Sequence, residues 1–518
     1  MNTDKCKQYK IIEKILWGAI ILSPIILLAI QSAVYGRNLF LGVPEWSDEL
    51  DYWREMYSFS GSGFSFGGSM FFGYDAKVGP LGAHSFSPLF AWGPFFWLFR
   101  TSYSIYAIVW INLFYMTAAW VLFVALVKPN ITKSVIAAVL AYSFPLTVLY
   151  LNTSMIEMVC MAGIIAYFSL MYKWDGSEKS NKWFILTLLV GIWCMLLRPT
   201  YVVILFPSIW MKNKFKINKY TIISMLAYVV AFGAFYKVYG LFCSDYPGWV
   251  TSRLAAQVGI RNKLSFLLAN AKLNLRNFFS YNSADWCQVG LRYFYFVVTG
   301  YMLVRSFIGG KRINENADVN TDKNTNKSAD NSITESQTNF SFKIDRLYLS
   351  LFIMMFGLWA MMIVLYDILE WRDFRTFAPI VFGAVLFTSI KENHKRYISI
   401  LAAMYTLLVI LFGLSGMNFI ISRGYHVYQD LSPYFSMLET TDESGNARTL
   451  TTDFALNWCD ISVVRSLPPK MGFQVYNGVV TEEEYQKAEY VFIPEYIEIE
   501  SGEFMVNIPG YGNIYKMY

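Results

Sequence analysis

The sequence predicts a mainly α-helical, polytopic membrane protein carrying a small α/β domain at its C-terminal end. Three observations predict it. Of 518 residues, 55% are hydrophobic and only 15% are charged, against roughly 25% charged in soluble domains. Apolar stretches recur that reach the ~18 residues of a spanning helix. Lysine and arginine cluster where those stretches end, as they do on the cytoplasmic side of membrane proteins. The net charge of +6 is therefore distributed over membrane flanks rather than gathered in one patch, and nucleic acid is not an expected partner.

The elements follow in order. Residues 16–34 form the first apolar stretch, too long for a signal-peptide core and without a small-residue cleavage site, so they read as a retained anchor. Lys5, Lys7, Lys10 and Lys14 precede it and assign the N-terminus to the cytoplasm. The loop 35–103 is then outside and holds Pro44-Glu45-Trp46-Ser47-Asp48-Glu49. Within it, residues 86–99 are apolar but short and interrupted by Pro88 and Pro94, which suits an interfacial or re-entrant segment. A span at 104–127 returns to Lys128 and Lys133, and spans at 134–151 and 156–172 lead out and back to Lys173, Lys179 and Lys182.

A broken hairpin comes next: 183–197 and 201–211 meet at Arg198-Pro199-Thr200, where proline ends one helix and begins another. It returns to Lys212, Lys214, Lys216 and Lys219. Residues 220–241 go out, a polar outer loop runs to about residue 288, and 289–308 come in. The stretch 309–342 is rich in Asn, Asp, Ser, Thr and Lys and is expected to be a flexible cytoplasmic insert. Spans at 347–366, 377–390 and 397–421 complete a count of about eleven. One outer segment dissents from the charge rule, with Arg253, Arg261, Lys263, Lys272 and Arg276 spaced along it.

From about residue 422 the character changes. Residues 490–493 and 513–515 look like short strands and 481–488 like a short helix. The expected division is a membrane domain, 1–421, and an outer α/β domain, 422–518, that shapes an acceptor site or merely caps the bundle. None of the six cysteines forms a Cys-x-x-Cys pair; Cys243 and Cys287 could share one outer loop and bond.

Carboxylates at the mouth of a bilayer must be solvated, paired or used. Glu157 at a span end faces either a cavity or a salt-bridge partner. Transfer of a sugar from a lipid phosphate needs a base for the acceptor hydroxyl and positive charge where the leaving phosphate develops negative charge. Arginine suits phosphate through its bidentate fork, and Arg198, Arg372 and Arg375 fall at outer helix ends, level with Asp48 and Glu157. A divalent metal bridging carboxylate and phosphate could replace or assist them. Trp46, Tyr52 and Trp53 are candidates to stack on a sugar.

The order of these motifs over residues 16–216 resembles the GT-C glycosyltransferases, among them protein O-mannosyltransferases and the lipid A aminoarabinose transferase. Ser47-Asp48-Glu49 resembles that family's first-loop acidic motif, which implies Asp48 as the catalytic carboxylate beside Glu49. His84-Ser85-Phe86-Ser87-Pro88-Leu89 is similar to a His-Pro-Pro-Leu stretch, with Ser85 and Phe86 in place of prolines, and implies a metal role for His84. Glu157 falls where many members carry a second acidic residue, and Arg375-Thr376-Phe377-Ala378-Pro379 resembles an Arg-Tyr-x-x-Pro motif. The resemblance implies a GT-C-like fold and a glycosyltransferase that moves a sugar from a polyprenyl-phosphate donor to a glycan, lipid or protein acceptor. It would act on the outer face of a bacterial plasma membrane, among membrane lipids. Two other readings stay open: an O-antigen or capsule polymerase, favoured by the outer-loop arginines, and a lipid or solute transporter. The absence of two related halves and the gathering of charges at one face speak against transport.

Overall fold

A computed structural model describes residues 3–36, 38–41, 49, 52–53, 55–57, 70–72, 86–99, 106–175, 180–213, 216–242, 251–279, 286–308, 345–366, 375–391, 429–444, 448–453, 461–468, 471–476, 482–486 and 488–518. The chain is mainly helical, with one small sheet. Among the described residues three helices are long and apolar enough to cross a membrane: Ala107–Val127, Lys219–Tyr239 and Arg346–Leu365. The bent pair Lys7–Ile21 and Ser23–Tyr35 makes a fourth if it is one span. Ile131–Ser143, Asn181–Leu197 and Ala378–Lys391 are apolar but shorter.

Two expected spans are broken where proline intervenes. The first bends by 65° between Ile21 and Ser23. Pro24 stands at the start of the second piece, so it neither donates to the preceding turn nor tolerates its carbonyl. The stretch expected at 134–151 divides into Ile131–Ser143 and Pro145–Tyr150, because Phe144 takes the extended backbone that a following proline imposes. The expected broken hairpin is found, as Asn181–Leu197, a 3₁₀ turn Pro199–Ile204 and Leu205–Lys212. The outer loop read as polar contains two helices, Thr251–Ala255 and Ile260–Phe279. Residues 86–99 form two short helices, Ser87–Ala91 and Gly93–Phe99.

The centre of the bundle is Glu157–Asp175 packed against Ala107–Val127, Asn181–Leu197 and Ala378–Lys391. Every residue from Ala378 to Ile390 is buried, so this helix is apolar all round and surrounded by protein. Its aromatic rings lock it in place: Phe382 meets Phe144 at 4.8 Å and Trp120 at 6.0 Å, while Phe387 meets Phe168 at 5.4 Å. Such offset and edge-to-face pairs each add about 0.5–1.5 kcal/mol beyond area burial. Gly383 is what lets the two central helices touch, since a Cβ there would meet the Phe168 ring and lie 2.8 Å from Ile164 Cγ2.

Charges tie the helices together at one end of this bundle. Asp345 caps Arg346–Leu365 by accepting from the Leu347 and Tyr348 backbone N–H groups, and it pairs with Lys391 at 2.6 Å. Lys391 also lies 3.8 Å from Asp175. These are the ends of three helices, all on the side that the lysine clusters assign to the cytoplasm.

The C-terminal domain is a six-stranded sheet in the order β1-β3-β2-β4-β6-β5. Its strands are β1 (Met70–Phe72), β2 (Thr449–Asp453), β3 (Gly472–Tyr476), β4 (Tyr490–Ile493), β5 (Gly502–Ile508) and β6 (Gly512–Met517). The first four are parallel; β6 and β5 are added antiparallel. Side chains of β4 alternate between two cores: Tyr490 and Phe492 join Leu431, Phe435 and Val463, whereas Val491 and Ile493 join Tyr485 and Tyr515. The strands expected at 490–493 and 513–515 are present, and the helix expected at 481–488 is Glu482–Tyr485. One strand crosses the expected boundary: β1, from the loop expected at 35–103, pairs parallel with β3, Phe71 opposite Gln474. The domain is therefore not made of residues 422–518 alone.

The span expected at 397–421, the insert 309–342 and Cys243 lie outside the described residues, as does the side chain of Cys287. The close central contact makes a prediction. Gly383→Ala should overpack the bundle and lower its unfolding free energy by about 1–3 kcal/mol. Gly233→Ala, with nothing within 4 Å of the added methyl, should be neutral or slightly stabilising. Chemical unfolding of the two full-length variants in detergent checks this, and equal effects would contradict the packing.

Candidate active site

Three helix ends meet at Glu157. The carboxylate stands at the first residue of Glu157–Asp175, where a helix N-terminus favours negative charge. Arg198 follows the last turn of Asn181–Leu197 in an extended conformation, because Pro199 comes next. Arg375 and Thr376 form a tight turn that leads into Ala378–Lys391. Arg198 Nη2 donates to Glu157 Oε1 at 2.6 Å, and Arg375 Nε lies 3.5 Å from the same oxygen. Arg198 Nη1 donates to Thr376 Oγ1 at 2.7 Å, and the Tyr201 hydroxyl donates to the Thr376 carbonyl at 2.9 Å.

Glu157 is 1% exposed, but Arg198 and Arg375 keep 17% and 23% of their side chains accessible. Within the trio two part-exposed guanidiniums face one carboxylate. That arrangement can receive an anion. Glu157 Oε2 is buried and has no hydrogen-bond partner, so Glu157 is bonded through a single oxygen and retains one acceptor.

A second layer of polar contacts fixes the loop in front of Glu157. Asn112, buried in the middle of an apolar helix, accepts from Trp92 Nε1 at 3.0 Å and donates to the Thr153 carbonyl at 2.8 Å. The next residue, Ser154, donates from Oγ to the backbone carbonyl of Glu49 at 3.0 Å. The Tyr115 hydroxyl and Trp193 Nε1 hold the Ala91 and Phe90 carbonyls, clamping the short helices of 86–99 against the same corner. A helix of 19 residues separates this cluster from Asp175, about 27 Å along its axis.

Of the residues singled out from sequence, Glu157, Arg198 and Arg375 are brought together. Glu49 is buried and its backbone is bonded to the loop before Glu157. Tyr52 and Trp53 are fully buried: Trp53 stacks on Tyr57 at 5.2 Å, and Tyr52 meets Trp92 edge-on at 5.9 Å. Both are buried, so they pack the corner rather than offer an open platform for a sugar. Asp48, Trp46, His84 and Arg372 lie outside the described residues. Sequence reasoning passed over Thr376, Tyr201 and Asn112. A lone amide inside the apolar stretch 107–127 was the available signal for Asn112, since polar groups at membrane depth are held by partners.

Among the described residues no group of three or more His, Cys, Asp or Glu side chains lies together. Two guanidiniums beside Glu157 would also repel a divalent cation. The described part of the site thus does not fit a metal.

No protein-family model matches the chain, and no curated protein matches it.

Asn112 should act as a positioning residue. Asn112→Leu leaves Trp92 Nε1 and the Thr153 carbonyl unpaired and should cost about 2–6 kcal/mol, two buried polar groups at about 1–3 kcal/mol each. Asn112→Asp, which keeps the acceptor for Trp92, should still free the Thr153 carbonyl. Backbone amide exchange at 151–156 in detergent should rise in both variants; unchanged exchange there would show that the loop is held by something else.

Proposed function

We propose that the protein is a GT-C-type membrane glycosyltransferase, with about eleven spans, that moves a sugar from a polyprenyl-phosphate donor to an envelope glycan, lipid or protein acceptor. The N-terminus is cytoplasmic and transfer takes place on the outer face of a bacterial plasma membrane. One observation carries the reading: Glu157 holds Arg198 and Arg375 together, both part-exposed, at the bundle end opposite the Lys391–Asp345–Asp175 cluster. The separation of about 27 Å is close to the thickness of a hydrocarbon core, so the cluster sits where a lipid phosphate would lie.

The chemistry then follows. Asp48 takes the proton of the acceptor hydroxyl as its oxygen attacks the anomeric carbon. The bond from that carbon to the phosphate oxygen breaks, and the electron pair leaves with the lipid phosphate. Arg375 and Arg198 meet the charge that grows there. Glu157 orients both guanidiniums and keeps them from repelling each other. Chain connectivity supports the role of Asp48, because its neighbour Glu49 is bonded to the loop that precedes Glu157. Arg372, three residues before Arg375 in sequence, is a further candidate for the phosphate.

Incubating the reconstituted protein with radiolabelled polyprenyl-phosphate sugars and membrane acceptors tests the reading. Asp48→Asn should lower transfer by about 10²–10⁴-fold, the usual contribution of a general base, and leave donor binding intact. Arg375→Ala should weaken donor binding as well as turnover, because the phosphate is present in both ground and transition states. Near-full activity of Asp48→Asn would refute its role. Products that grow by repeating units would indicate the polymerase instead, and solute flux without sugar transfer would indicate a transporter.

A further inference from the structure

We propose that the Ile260–Phe279 helix lies on the outer leaflet and docks on a bilayer surface rich in anionic phospholipid. The inference needs the chain to sit in a bilayer but does not depend on sugar transfer. It also explains why basic residues gather on the side where the charge rule does not expect them.

The helix carries four basic residues and no acidic one. At 100° per residue, Ile260, Leu264, Leu275, Leu268 and Phe279 fall on one stripe about 100° wide, and all five are exposed, Leu268 at 71%. Arg261, Lys272 and Arg276 occupy the next sector of about 60°, also exposed. None of these three has an ion-pair partner among the described residues. An apolar stripe bordered by unpaired bases is the pattern of a helix lying in a membrane interface, with leucines among the acyl chains and cations at the phosphates.

The other flank of the stripe, about 40–80° from Ile260 on the side away from the bases, holds the helix to the protein. Asn270 Nδ2 donates to the Val364 and Tyr366 carbonyls, at 3.1 and 2.7 Å, and Asn274 Nδ2 donates to those of Ile363 and Tyr366, at 3.0 and 2.7 Å. All of these acceptors are at the C-terminal end of Arg346–Leu365, where a helix leaves carbonyls unsatisfied. The middle of one helix thus rests on the end of another, which sets it at the level where that span leaves the bilayer. Arg292 fixes the far end by donating to the Asn277 and Phe278 carbonyls. Phe278 in turn meets Phe377, two residues beyond Arg375. The platform therefore joins the lipid surface to the arginine cluster and sets its depth.

The test uses the full-length protein in nanodiscs, with native cysteines replaced by alanine and a spin label at Leu268→Cys or Asn262→Cys. Leu264→Cys is a second apolar-stripe reporter in case Leu268→Cys fails to fold. Collisions with oxygen should dominate at the stripe position and collisions with a water-soluble nickel chelate at Asn262→Cys. Strong chelate access at both would mean a helix in water; shielding from both reagents would mean that a second copy or another segment covers it. Either result overturns the proposal. Spin-labelled phosphatidylglycerol should be retained around the protein at least about three-fold over phosphatidylcholine. The triple variant Arg261→Gln, Lys272→Gln, Arg276→Gln should lose that preference. No preference in the parent protein, or an unchanged one in the variant, would remove the anionic lipid as the partner.

Discussion

One buried carboxylate organises this molecule. Glu157 cannot stand alone at the end of a buried helix, because an unpaired charge in a low-dielectric setting costs several kcal/mol. Its partners come from two other helix ends, so satisfying it brings Asn181–Leu197 and Ala378–Lys391 to the same corner as Glu157–Asp175. The mirror arrangement at Lys391, Asp345 and Asp175 fixes the other ends of the bundle. Between the two charge clusters the contacts are apolar and aromatic, and Gly383 allows the central helices to approach. Polarity at both ends and apolar packing between is what a bilayer demands of a bundle.

The corner around Glu157 is built in layers. The carboxylate aligns the guanidiniums, Thr376 and Tyr201 hold the turn that carries Arg375, and Asn112 and Ser154 hold the loop that carries Glu157. Groups this well supported keep their geometry when a ligand arrives, which is what charge stabilisation in a reaction requires. The strand β1 adds a longer-range connection. Because β1 pairs with β3, the segment that bears Glu49 is tied at one point to the helical bundle and at another to the C-terminal sheet.

Much of this was legible in the sequence, and the limits have physical causes. Hydropathy and lysine placement located most helices, and Arg198-Pro199 announced its own hinge, since proline dictates local geometry. Arg375 was found beside a proline that opens a helix. The break at Leu22 was missed although Pro24 was visible, because the apolar run continues across it and hydropathy is blind to a bend. The strand β1 was beyond reach: three residues carry too little periodicity, and the partner strand lies some four hundred residues later in the chain. Segment 251–279 reads as a polar loop because its charges mask an amphipathic helical pattern. Tyr52 and Trp53 show the reverse error. Aromatic residues beside an acidic motif suggest a sugar platform, yet burial against Tyr57 and Trp92 is something only tertiary structure can show.

Glu157, Arg198 and Arg375 act as one unit that joins three helices. A double-mutant cycle measures it directly, using Glu157→Gln, Arg198→Gln, Arg375→Gln and their pairs, with unfolding free energies determined in bicelles. The pairs should be non-additive, with a coupling of at least about 1 kcal/mol between Glu157 and Arg198 and a smaller one between Glu157 and Arg375. Additivity of Glu157→Gln with both arginine variants, to within about 0.5 kcal/mol, would contradict it.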